Sequence, residues 1–122
     1  RCRIYSHTNK GDRIVLQLKD GVVLAGNKYT NAMLKALQIA FEGICDVVVT
    51  AGRDGKHGPE SYHYQDRAID ARFWEISPDR RDSIAAAIRV MLPPYYDVVV
   101  EENHYHIEAD AKKEQRYAGG MA

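Results

Sequence analysis

The sequence predicts an α+β domain in which a central, mainly antiparallel sheet is backed by two helices. Several short runs rich in β-branched residues have the length and composition of strands. Two longer segments carry apolar residues at helical spacing instead. We expect one domain spanning residues 1–122, with a loose tail at 110–122. The predicted strands are residues 13–18, 22–25, 46–50, 67–73, 97–101 and 104–109.

The first two strands are expected to form a small hairpin at one edge of the sheet. Asp20 and Gly21 lie between the apolar runs 13–18 and 22–25. An Asp-Gly step between such runs is a strong hairpin signal, because the favoured two-residue turn needs a positive φ at its central positions. The turn would place the two runs side by side.

The two predicted helices span residues 29–44 and 77–92. Thr30 or Asn31 can cap the first by accepting a hydrogen bond from a free backbone amide. The second begins with Ser77 as a cap, then a proline and an acid, and two prolines end it. The residues expected to face the core are Leu34, Leu37, Phe41 and Ile44 in the first helix, and Ile84, Ile88 and Met91 in the second.

Three polar side chains stand between apolar neighbours in the predicted strands. Asp70 does so in one strand, and His104 and His106 do so in another. Aspartate is depleted in strands, so Asp70 needs a partner. Side chains alternate between the two faces of a strand. If the apolar neighbours face the core, all three polar side chains share the open face of the sheet.

A loop histidine completes a possible metal site. His63, Asp70 and His106 offer two imidazoles and a carboxylate, which are good zinc ligands and leave a fourth position free for water. Such an open position distinguishes a catalytic zinc site from a structural one. Each residue taken singly is explained as simply by a surface or capping role, so spacing alone leaves both interpretations open.

The pattern Ser-x-His-Tyr-x-x-Arg-Ala-x-Asp at residues 61–70, followed by His-x-His at 104–106, resembles a family of zinc peptidases. The family contains D-alanyl-D-alanine carboxypeptidases, vancomycin-resistance D,D-dipeptidases and phage L-alanyl-D-glutamate endolysins, and the hedgehog signalling domain shares its fold and metal site. The resemblance covers residues 47–108. It implies a hedgehog/D,D-peptidase-like fold and one zinc ion held by His63, Asp70 and His106.

Two further residues match positions that contact substrate in that family. Arg53 follows the strand at 46–50 and lies in a loop with three glycines and a proline. The resemblance implies that Arg53 binds the substrate and polarises its carbonyl, which suits a planar guanidinium. Ser61 matches a serine that also contacts substrate. The alternative for both is an ordinary solvated loop residue.

The general base is where the sequence departs from the family pattern. Many members carry an acidic residue three positions before the last histidine, and Asn103 stands there in this chain. Some relatives have a glutamate at the end of the preceding strand. We therefore predict that Glu101 is the base, with Glu102 as the second candidate. His104 matches a histidine that assists near the metal without being a primary ligand.

Together these features predict a zinc metallopeptidase that hydrolyses peptidoglycan stem peptides with metal-activated water. The peptide bond that it cleaves would be the D-Ala-D-Ala bond or the L-Ala-D-Glu bond. The alternative is a non-catalytic zinc-binding interaction module of the same fold, which Asn103 favours. By analogy, a phage lysis or tail-associated protein acting at the bacterial cell wall is plausible.

Composition narrows the partners of the chain. The formal net charge is zero, so nothing electrostatic points to nucleic acid or an anionic membrane. No apolar run has the length of a membrane span, and residues 1–10 contain no signal-peptide segment. We expect a monomer whose partner is a peptidoglycan peptide.

Overall fold

The computed structural model describes residues 2–9 and 12–119, with side chains from residue 16 onward. Pairs of strands alternate with single helices along the chain. The elements are β1 (Cys2–Asn9), β2 (Asp12–Lys19), α1 (Lys28–Ala40), β3 (Val47–Ala51), β4 (Ala68–Arg72), a 3₁₀ turn (Pro78–Arg80), α2 (Arg81–Met91), β5 (Tyr96–Val100), β6 (His104–Ala109) and α3 (Ala111–Ala118).

The strands form one six-stranded sheet with the order β1-β2-β3-β4-β6-β5. All neighbours are antiparallel except β2 and β3, which are parallel. This confirms the α+β class and the mainly antiparallel sheet. The predicted strands 46–50, 67–73, 97–101 and 104–109 match β3, β4, β5 and β6 to within one residue at each end.

The core lies between the sheet and the helices α1 and α2, which pack against each other and against the strands. Alternation along β4 and β6 decides which side chains enter it. The largest buried side chains include Met33, Leu37, Phe41, Ile69, Phe73, Ile88, Tyr105 and Ile107. Because Ile69, Tyr105 and Ile107 face the core, their polar neighbours are left on the opposite face of the sheet. The described helices are too short and too polar to cross a bilayer.

The predicted edge hairpin at 13–18 and 22–25 is wrong. Residues 13–18 belong to β2, but residues 22–25 are not a strand. The chain does turn after Lys19, with Gly21 at a φ of 90°. However, β2 already has β1 on one side and β3 on the other, so neither of its edges is open to a returning strand.

The helix ends also differ from the sequence prediction. Asn27, one turn earlier than expected, caps α1: its side chain accepts from the amides of Tyr29 and Thr30, and the Thr30 hydroxyl accepts from the Asn27 amide. Reciprocal hydrogen bonds of this kind, a capping box, satisfy the free amides of the first turn, and here they determine where the helix begins. Ser77 makes no capping hydrogen bond within the described part of the chain. Met91, expected in the core, is 36% exposed.

A third helix replaces most of the loose tail predicted at 110–122. The Asp110 carboxylate accepts hydrogen bonds from the amides of Lys112 and Lys113, which starts α3. Glu114 then anchors the helix: its Oε1 lies 2.7 Å from both Tyr29 Oη and Arg67 Nη2. The sequence interpretation missed this helix because its stability comes from these distant partners, and not from an apolar face.

We expect Glu114→Ala to lower the free energy of unfolding by about 1 to 2 kcal/mol, because it leaves the half-buried Arg67 guanidinium without its carboxylate. Urea denaturation measures this change. Lys112→Ala, an exposed site on the same helix, is the control and should be nearly neutral. Equal effects of the two variants would mean that Glu114 contributes only helix propensity.

Candidate metal centre

Two neighbouring strands and the turn before one of them position the candidate ligands. Asp70 on β4 lies directly opposite His106 on β6. His63 comes from the turn that precedes β4, and Ser61 Oγ accepts a hydrogen bond of 3.1 Å from the His63 amide. The antiparallel register therefore brings together side chains that are 36 positions apart in the sequence.

Asp70 is the centre of the cluster. Its Oδ1 lies 2.9 Å from His106 Nδ1 and 3.4 Å from His63 Nε2. One ligand atom from each of the three residues lies within 4.8 Å of the others. His63 is buried, and Asp70 and His106 are partly open to solvent. The group is therefore compatible with one metal ion that is reached from the open face of the sheet.

The outer nitrogen of each imidazole already has an oxygen partner. His63 Nδ1 lies 2.8 Å from the Gly52 carbonyl oxygen, and His106 Nε2 lies 2.8 Å from Glu108 Oε1. If His63 Nδ1–H donates to Gly52 and His106 Nε2–H donates to Glu108, the other ring nitrogens, His63 Nε2 and His106 Nδ1, face Asp70. Oxygen acceptors behind ligand histidines are characteristic of metal sites, because they fix the ring orientation and the tautomer.

The electrostatics favour a charged Asp70 next to a charged His106. Burial opposes ionisation of Asp70, but hydrogen bonds from His106 and His63 hold the pKa of its carboxyl well below the ordinary 3.8. The hydrogen bond to Asp70 raises the pKa of His106 to about 9, with burial opposing and Glu108 assisting. In the metal-free protein a proton on His106 Nδ1 thus occupies the place where a cation would bind.

Gly52 links the metal group to the segment that follows β2. Its amide donates to Asp54 Oδ1 at 2.9 Å, and the Val23 amide donates to the same oxygen. A Cβ at this position would lie 2.2 Å from the Val23 carbonyl oxygen, so only glycine fits. The close approach holds the Gly52 carbonyl in place for His63.

His57 packs on the candidate ligand His63, although the sequence interpretation did not assign it a role. Its ring stacks on His63 with a centroid distance of 3.9 Å and an interplanar angle of 14°. No spacing rule relates a loop histidine to this position. Glu108 was also missed, but strand alternation placed it on the face of His106 and could have identified it.

Arg53 and Ser61 lie near the candidate ligands in the chain, but their side chains do not contact the candidate ligand atoms in the described part of the structure. Arg53 Nη1 lies 3.2 Å from Asp66 Oδ2, and its side chain is 57% exposed. The described contacts therefore join the Arg53 guanidinium to Asp66 and not to His63, Asp70 or His106. Ser61 caps the turn that carries His63.

The candidate bases lie at the end of β5. The Glu101 amide donates to the His104 carbonyl at 2.9 Å, which continues the pairing of β5 with β6. By alternation from Val99, opposite His106, the Glu101 side chain shares the open face. Glu102 lies in the bend beyond the strand and is exposed.

His104 lies between the metal group and Asn103. His104 Nε2 is 3.8 Å from Asp70 Oδ1, and His104 Nδ1 is 2.6 Å from Asn103 Oδ1. The register places His104 opposite Arg72, one step along the sheet from the pair of Asp70 and His106. His104 thus borders the metal group without belonging to it.

A second acidic group consists of Asp97, Glu108 and Asp110, whose oxygens also lie within 4.8 Å of one another. Each of them already has a donor. Asp97 accepts from Lys113, Glu108 from His106, and Asp110 from the amides that begin α3. This group therefore serves the structure around β6.

The chain matches no protein-family model and no curated protein.

We expect Glu108→Ala to weaken metal binding by roughly 10- to 100-fold, because His106 loses the acceptor that orients its ring. Competition with a chromophoric zinc chelator measures the affinity. Asp97→Ala is the matched control. Asp97 lies opposite Glu108, so this substitution removes the same charge without removing the hydrogen-bond acceptor of His106. If both variants weaken binding equally, the effect is one of net charge.

Proposed function

We propose that this chain is a zinc-dependent peptidase that hydrolyses peptidoglycan stem peptides. The observation that carries the proposal is the convergence of His63, Asp70 and His106, each imidazole with an oxygen acceptor behind it, on the open face of the sheet. The resemblance of residues 61–70 and 104–106 to the zinc D,D-peptidases supports the substrate class. It also supports a hedgehog/D,D-peptidase-like arrangement of the α+β fold.

The donor set favours zinc. Two imidazole nitrogens and one carboxylate oxygen suit zinc, whereas calcium and magnesium prefer oxygen ligands throughout. Zinc usually takes four ligands, so three protein ligands leave one coordination position open for water. Catalytic zinc sites have this arrangement. A bound zinc ion supplies Lewis acidity, which lets water ionise near neutral pH and polarises a carbonyl.

Glu101 is the residue that we assign as general base. Its pairing with His104 and its place on the same face of the sheet as His106 support this assignment. It would take the proton of the attacking water and return it to the leaving amine. Glu102, in the bend beyond the strand, is the second candidate.

Arg53 and His104 would stabilise the oxyanion and orient the reacting groups. The Arg53 guanidinium can leave Asp66 and turn toward a substrate carbonyl, because it is held by one exposed ion pair that is weak in water. His104 Nε2 lies 3.8 Å from Asp70 Oδ1, so the ring would border the reacting groups and orient them. Ser61 keeps its hydroxyl hydrogen available, since its oxygen acts as acceptor for the His63 amide.

The second candidate function is a zinc-binding interaction module without turnover. Asn103 favours it, because an amide cannot act as a base, and this amide is hydrogen-bonded to His104. In that case Glu101 would have no catalytic role.

One assay separates the two functions. The zinc-loaded protein is incubated with a D-Ala-D-Ala-ended peptide and with a peptide containing L-Ala-D-Glu, with and without a chelator, and products are identified by mass spectrometry. Chelator-sensitive cleavage at either bond supports the peptidase and names the bond. Zinc bound without cleavage of either peptide or of whole peptidoglycan supports the module. The expected setting is a monomer acting at the bacterial cell wall, as in a phage lysis or tail-associated protein.

A further inference from the structure

A surface pocket adjoins the metal group on the open face of the sheet. Its volume is about 250 Å³, and His104 forms one of its walls. The same His104 lies 3.8 Å from Asp70 through its Nε2. The pocket, which we call the His104 pocket, is lined by Lys19, Thr50, Arg72, Trp74, Asn103 and His104.

The charged groups in this lining are cations. Arg72 and Lys19 contribute positive charge, and Thr50 and Asn103 contribute neutral polar groups. The nearest acid to Arg72 among the described ion pairs is Glu75, outside the lining, whose Oε2 lies 3.3 Å from Arg72 Nη2. Glu75 is about half exposed, so this ion pair is weak. The pocket is therefore suited to an anion.

Arg72 is held in place and incompletely paired. Its guanidinium carbon lies 4.1 Å from the centroid of the Trp74 ring, a cation–π contact that fixes the plane of the fork. Its Nε is buried and has no hydrogen-bond partner in the part of the chain that the structure describes. A buried N–H without an acceptor is costly, so the protein itself does not fully satisfy this guanidinium. A carboxylate matches the fork of a guanidinium in both shape and charge.

The distance to the metal group identifies which carboxylate fits. Arg72 lies two residues beyond Asp70 on the same face of β4, which is about 7 Å along the strand. One peptide residue together with the Arg72 side chain spans that distance. Both candidate substrates carry a carboxylate on the residue that follows the scissile bond. It is the C-terminal carboxylate in D-Ala-D-Ala and the free α-carboxylate in a D-Glu linked through its side chain.

We infer that the His104 pocket binds the carboxylate of the residue that follows the scissile bond, with Arg72 and Lys19 as its cationic partners. The assignment to substrate rests on the proposed peptidase function. The pocket makes the enzyme specific for a free acid at that position, because an amidated substrate lacks the negative charge that Arg72 and Lys19 would face.

Binding can be followed without catalysis, because Trp74 is the only tryptophan of the chain. N-acetyl-D-alanine is titrated into the protein, metal-free and zinc-loaded, while tryptophan fluorescence is recorded, and N-acetyl-D-alaninamide serves as the uncharged probe. We expect the acid to bind about 10- to 100-fold more tightly than the amide in both forms. Arg72→Met should abolish this preference, and Arg80→Met, an exposed arginine outside the pocket, should retain it.

Kinetics then test the link to the substrate. For each cleaved peptide, KM is compared between the free acid and the amidated form, and we expect amidation to raise KM by about 10- to 100-fold. If the peptide ending in D-alanine amide shows the effect, the carboxylate that binds is the C-terminal one. If the peptide with a D-glutamate α-amide shows it, the α-carboxylate of D-Glu binds. If Arg72→Met fails to fold, Lys19→Met, which removes an exposed charge of the same lining and leaves Arg72 on Trp74, should show a smaller loss of the same preference.

The outcomes separate the pocket from the function. Equal fluorescence titrations with acid and amide overturn the pocket, whether or not the protein is a peptidase. Equal cleavage of acid and amide overturns its role in substrate selection while leaving the peptidase in place. Arg72-dependent binding of the acid with no turnover of any peptide supports the pocket and overturns the peptidase.

Discussion

Asp70→Asn should remove tight metal binding. The amide keeps the shape of the side chain but loses the charge that faces both His63 Nε2 and His106 Nδ1. We expect the zinc affinity to fall by more than the roughly 10- to 100-fold that the loss of an outer partner costs. Isothermal titration calorimetry with zinc measures the change, and circular dichroism checks that the variant is folded.

The control for this prediction is Asp66→Asn, which removes a carboxylate from the same region without approaching the ligands. It should bind zinc as the unaltered protein does. Unchanged affinity in Asp70→Asn would mean that the three side chains do not bind a common ion, and the peptidase proposal would fail with it.

Glu101→Gln should abolish hydrolysis while leaving zinc bound. The glutamine keeps the size of the side chain at the end of β5 but cannot accept the proton of the attacking water. General-base catalysis contributes about 10²- to 10⁴-fold, so we expect kcat to fall by that factor. A single-turnover assay with the peptide that the unaltered protein hydrolyses measures the rate of this step.

Glu102→Gln is the matched variant, one residue away and also exposed. It should retain the rate. If Glu102→Gln loses activity and Glu101→Gln does not, the bend beyond β5 carries the base. If neither does, the proton acceptor lies elsewhere in the site.

Local sequence patterns predicted the strands that carry the ligands. Period-2 alternation around Asp70 and His106 placed both on the open face, and the register of β4 with β6 agrees. Their distance to His63 could not be predicted, since it depends on the turn before β4 and on the Gly52 carbonyl that orients the imidazole. The roles of Arg53, Ser61 and Glu101 stay predictions.

The errors arose where long-range contacts decide the structure. The Asp-Gly step after β2 does turn the chain, but pairing of β2 with β1 and β3 leaves no edge for a hairpin. The polar composition of 110–122 hid α3, whose Glu114 finds partners in Tyr29 and Arg67. Neither outcome can be predicted from a window of neighbouring residues.

The contact between Gly52 and Val23 has a consequence for the stability of the chain around the metal group. The Gly52 carbonyl holds His63, and its backbone is fixed through Asp54 to Val23. Binding of a cation and ordering of residues 22–23 are therefore thermodynamically linked. The free energy by which cation binding stabilises this segment equals the free energy by which the ordered segment strengthens cation binding. Saturation with zinc should slow amide hydrogen exchange at Val23 and Arg53, in addition to its effect on the histidines themselves.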